Sequence, residues 1–76
     1  MARVRLLAEG SQHVSVHPTE VDCYYQVVVG PDGQRYLHLT TFGSDSRQSE
    51  PKSSQSIQLP PDVAHELARV IEATFP

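Results

Sequence analysis

The chain has no tryptophan, one cysteine and two phenylalanines among its 76 residues. Each shortage closes a route. The lone Cys23 excludes an intrachain disulfide framework, and no charged leader precedes a long apolar run, so a reducing, cytoplasmic setting is expected. Long apolar runs are missing as well. Stretches such as Val27-Val28-Val29 fall far short of the roughly 20 residues that a membrane-spanning helix needs, and no membrane partner is expected. Cations are scarce, with six Lys and Arg against nine Asp and Glu and a net charge of −3. That balance argues against nucleic-acid binding driven by an overall positive field. The hydrophobic fraction is 38%, and a chain of this length buries only about 60% of its unfolded surface. An oligomer that buries a further apolar strip is therefore expected.

What remains is organised around Tyr36 to Leu59. Tyr36-Leu37-His38-Leu39-Thr40-Thr41-Phe42 alternates, Gly43 to Ser53 is almost wholly polar, and Ser54-Gln55-Ser56-Ile57-Gln58-Leu59 alternates again. Period-two alternation is the signature of a half-buried strand. Upstream, Val21 to Val29 is dense in β-branched and aromatic residues. Gly30-Pro31-Asp32-Gly33 then forms a turn in which Pro31 presets φ, Asp32 bonds locally and Gly33 takes the left-handed position. A hairpin of roughly Cys23 to Val29 with Gln34 to Phe42 follows. Before it, Arg3-Val4-Arg5-Leu6 and His13-Val14-Ser15-Val16-His17 also alternate, and residues 1–20 read as an arm or a short hairpin of these two runs, closed by Pro18. After Leu59, Pro61 suits the first helical position and Asp62 the positive end of the helix dipole. Val63, Leu67, Val70, Ile71 and Phe75 recur at helical spacing as one apolar stripe over 61–75.

Splitting the strands by face gives the functional reading. One face collects Tyr25, Val27, Val29, Leu37, Leu39, Thr41, Ile57 and Leu59, which the helix stripe is expected to cover. The other collects Tyr24, Gln26, Val28, Tyr36, His38, Thr40, Phe42, Ser54, Ser56 and Gln58. Rings among hydrogen-bonding side chains on an open sheet suit single-stranded nucleic acid, where bases stack on aromatics and cations track phosphates. Tyr24, Tyr36, His38 and Phe42 would meet bases; Arg35, Arg47 and Lys52 would meet phosphates. The same face also suits plain solvent or a dimer partner, since antiparallel sheets routinely show a polar side.

The order of hairpin, polar loop with Lys52, short strand Ser56-Ile57-Gln58-Leu59 and a Pro61-Asp62 helix resembles the single-strand-binding transcriptional coactivator family, the positive cofactor four fold, over about Val21 to Phe75. That resemblance implies a curved antiparallel sheet with a C-terminal helix, a homodimer formed through the helices, and sheet faces and basic loops that hold single-stranded DNA or RNA in transcription or related transactions. Lys52 stands where the family has a basic residue before its last strand, and Arg35, Tyr36 and His38 fall on the strand that helps to form its groove. The family carries Lys-Gly directly before that strand, whereas Ser53-Ser54-Gln55 intervene here.

Catalytic patterns are weaker. Pro31-Asp32 and Glu50-Pro51-Lys52 match the letters of a restriction-type nuclease, in which two carboxylates hold a metal, but the Asp lies in a turn and Pro51 interrupts the required strand. His13, His17, Cys23 and His38 are ligand types, yet His13 and His17 on a strand would stand about 13 Å apart. Ser44 or Ser46 with His38 and Asp45 lacks any nucleophile elbow. No metal, cofactor or catalytic residue is expected. The expectation is a single α+β domain over residues 1–76: an antiparallel sheet of three to five strands over 21–59 with a polar loop at 43–53, and one helix on one face. Its expected role is a small nucleic-acid-binding module; the alternative is a protein-interaction or accessory subunit that uses the same open face or a sheet edge.

Overall fold

The computed structural model describes residues 1–43 and 53–76. Four strands and one helix follow in order: β1 (Ala2–Arg3), β2 (Asp22–Val29), β3 (Arg35–Phe42), β4 (Ser53–Leu59) and α1 (Pro61–Thr74). They form a single sheet in the order β1-β4-β3-β2, so the fold is α+β as expected, with three antiparallel strands and a short parallel strand at one edge.

The β2–β3 hairpin is set by its turn. Gly30 N–H donates to the Gln34 carbonyl at 2.8 Å and Gly33 N–H to the Gly30 carbonyl at 3.0 Å. The Asp32 carboxylate accepts from Gln34 N–H at 3.0 Å, and Gly33 holds φ 84°. Counting outward from this closure fixes every pair from Val29↔Arg35 to Asp22↔Phe42. Gly33→Ala places a Cβ in the left-handed region and should cost about 1 to 2 kcal/mol, read as a drop of roughly 4 to 8 °C in Tm per kcal/mol. Gly10→Ala, where an added Cβ meets nothing within 4 Å, should leave Tm unchanged.

Of the two readings of residues 1–20, arm or short hairpin, the segment takes the form of an arm that enters the sheet only at β1. Ala2 and Arg3 pair in parallel with Ile57 and Gln58 of β4, Val4 N–H extends the ladder to the Gln58 carbonyl at 2.8 Å, and residues 13–17 form no strand. The open edge of β4 offers Ala2 and Val4 the apolar side of the sheet, whereas a hairpin of two such short runs would be marginal in water.

Helix α1 begins after the single connecting residue Pro60, with Pro61 at its first position and Asp62 in its first turn. The short connection anchors it at the Leu59 corner. There Leu59 is 3% exposed and Val63 4%, and no other described hydrophobic residue is buried. The expected cover over the whole apolar face is thus incomplete. Tyr25 remains 77% exposed, Val27 58%, Val29 64% and Ile57 42%. On the helix itself Val70, Ile71 and Phe75 are exposed as well, and the helix meets the sheet at β3. Residues 5–9 of the N-terminal arm flank the helix instead, sharing grooves with Val63, Glu66, Leu67 and Val70.

Candidate nucleic-acid interface

The face turned away from the helix is built in cross-strand rows. The register places Gln26, His38, Gln58 and Arg3 in one row, Tyr24, Thr40 and Ser56 in the next, and Asp22 beside Phe42 in the last. Alternation puts all of these on one side of the sheet. Between Thr41 and Phe42 the pairing with β4 shifts register, from Thr41↔Gln55 to Phe42↔Ser53. Such a bulge bends its strand and sharpens the local twist, and beside it the face dips into a concavity of about 360 Å³ lined by Asp22, Tyr24, Gln26, Thr40 and Phe42.

Two of the expected aromatic residues meet in that concavity. The Tyr24 and Phe42 rings lie edge to face, with centroids 5.3 Å apart and planes at 83°, a favoured aromatic geometry. Tyr24 is 61% exposed, so a planar ligand can reach its ring. Phe42 is half-buried.

His38 sits at the centre of the face and is half-buried. The Gln58 amide lies 3.1 Å from its Nδ1 and the Thr40 hydroxyl 2.5 Å from its Nε2. The Gln58 amide and the Thr40 hydroxyl can each donate or accept, so they serve either tautomer of the ring. Both ring nitrogens are thus used within the sheet. What His38 offers a ligand is its ring face.

Tyr36 lies toward the hairpin turn; a Cβ on Gly30 would stand 3.7 Å from its ring. Six residues of strand separate it from Phe42, about 20 Å of extended chain, so the four aromatic positions mark a track along the sheet rather than one pocket. Arg35 departs from this group. Its parity is that of Leu37 and Leu39, and it lines a groove with Val27, Leu37, Leu59, Pro61 and Ala64 on the helix side, at whose margin Tyr36 also stands. Arg47 and Lys52 lie outside the described residues, as do Ser44, Asp45, Ser46 and Glu50.

Asp22, Gln26 and Thr40 line the concavity without having been among the expected contact residues. The register could have found them: the turn closure that pairs Val29 with Arg35 also brings Asp22 opposite Phe42 and Tyr24 opposite Thr40. Among the described residues, no three His, Cys, Asp or Glu side chains are grouped to hold a metal ion, and no helix is long and apolar enough to cross a membrane. Comparison with protein-family models, curated proteins and solved structures finds no match to this chain.

Proposed function

We propose that the face carrying Tyr24, Tyr36, His38 and Phe42 binds single-stranded nucleic acid. The observation that carries this reading is the concavity at Tyr24 and Phe42, where an accessible ring stands among the hydrogen-bonding groups of Gln26 and Thr40. Base faces stack on such rings whatever their sequence, and unpaired base edges find amide and hydroxyl partners beside them. A duplex hides those faces, which sets the preference for single strands. Arg47 and Lys52 supply the phosphate contacts in this reading.

The test is a titration of a labelled oligothymidylate at two salt concentrations. Binding that weakens as salt rises is expected, with the slope of log K against log salt falling by about 0.7 for each phosphate contact removed. Replacing Arg47 and Lys52 together by Ala should therefore flatten the slope by about 1.4 while the thermal transition stays in place. No binding to single strands at low salt would end the proposal and favour a protein ligand on this face.

A further inference from the structure

Asp22 is out of place on a surface that only stacks bases and meets phosphates, because a carboxylate repels a phosphate. It lines the concavity with Tyr24, Gln26, Thr40 and Phe42 and is exposed. Neither its carboxylate nor the Gln26 amide makes a hydrogen bond or ion pair with any described residue. Asp22, Tyr24 and Gln26 alternate along β2, so their side chains leave one side of the sheet at steps of about 7 Å. The middle one is the accessible Tyr24 ring, and Phe42, paired opposite Asp22, closes one flank of it edge to face. A base stacked on Tyr24 therefore has a pure acceptor toward one end and an amide toward the other. At about 360 Å³ the concavity is near the lower limit of ligand pockets, which run from about 300 to 1,000 Å³. That suits one base rather than a run of them.

One common base turns two adjacent donors to such an acceptor. Guanine carries N1–H and the N2 amino group side by side, and an ionised carboxylate, with two oxygens and no proton to give, accepts from both. Adenine and cytosine set an amino group beside an acceptor nitrogen, and thymine and uracil set one N–H between two carbonyls. Each of these leaves the second carboxylate oxygen facing an acceptor, without a hydrogen bond. The N7 and O6 acceptors of guanine in turn suit the Gln26 amide as donor. We infer that the concavity is a guanine subsite, in which Tyr24 stacks on the base, Asp22 accepts from N1–H and the N2 amino group, and Gln26 donates to N7 or O6. Resting on the strand-binding reading above, this adds a base preference to it: one guanine is seated at the Asp22 end, and its neighbours in the strand follow the track toward Tyr36.

Labelled oligothymidylate carrying a single central guanine, adenine, cytosine or hypoxanthine is titrated with the full chain. The guanine strand should bind from about fivefold to more than a hundredfold more tightly than oligothymidylate, the range of one bidentate base contact. Hypoxanthine lacks only the N2 amino group and should lose most of that gain in the unaltered protein. Asp22→Asn exchanges one acceptor oxygen for a donor and should bring the guanine strand down to the affinity of oligothymidylate. Equal affinity for all strands, hypoxanthine binding as guanine does, or a guanine preference that survives Asp22→Asn overturns the guanine subsite and leaves strand binding standing. No binding of any strand removes both. Free GMP, which lacks neighbouring nucleotides, should compete only weakly; GMP bound as tightly as the guanine strand overturns the assignment to strands and makes the concavity a free-nucleotide site.

Discussion

Leu59→Ala should remove most of the stability of this fold. Truncating a buried Leu costs about 2 to 5 kcal/mol, and a domain of this size has only about 4 to 11 kcal/mol to lose. Leu59 is 3% exposed and is one of two buried residues among those described. It pairs with Leu37 across the sheet and shares a groove with Val27, Pro61 and Ala64, so the cavity would open at the point where the helix is fastened. With roughly 4 to 8 °C lost per kcal/mol, the thermal transition should fall by at least about 8 °C or vanish. Circular dichroism during heating reads this directly. A loss of only a few degrees would mean that the stabilising core lies elsewhere.

Tyr24→Ala should weaken single-strand binding by about 1 to 3 kcal/mol, from about fivefold to more than a hundredfold, while Tyr25→Ala leaves it unchanged. The two tyrosines are neighbours in sequence, both well exposed, and stand on opposite sides of the sheet. Composition and local charge are therefore matched, and only the face differs. Because Tyr24 also contacts Phe42, Tyr24→Phe keeps the ring pair and should bind as the parent does. Fluorescence anisotropy of a labelled single strand titrated with each protein gives all three values. Equal losses from Tyr24→Ala and Tyr25→Ala would detach the aromatic track from binding.

The hairpin and the helix were legible in the sequence because their signals are local. Pro31, Asp32 and Gly33 dictate a turn, the turn dictates a register, and Pro61 with the Val63 and Leu67 spacing dictates a helix start and an inward side. The edge strand was not legible. Ala2 and Arg3 are too few to show a period, and their parallel pairing with Ile57 and Gln58 depends on β4 having a free edge, which no property of the N-terminal residues announces. The apolar stripe of the helix told which side faces inward but not how much of it is covered, so the exposure of Ile71 could not be read in advance. At the site, alternation sorted Tyr24, Tyr36, His38 and Phe42 onto one face. The same rule assigned Arg35 to the other face, a consequence hidden by its adjacency to Tyr36. Asp22 shares that side by alternation, but an acidic side chain does not suggest a nucleic-acid contact.

The two borders of the sheet are unequal. At one side β1 is a two-residue strand, too brief to template another chain. At the other, β2 presents eight residues, and no described strand pairs with its outer side. Tyr24 to Val29 contains neither charge nor proline, the two features with which natural sheets blunt such an edge. A six-residue window of that composition, with its backbone amides unclaimed on one side, favours cross-β stacking. Conditions that partly unfold the chain are therefore expected to let molecules polymerise through β2.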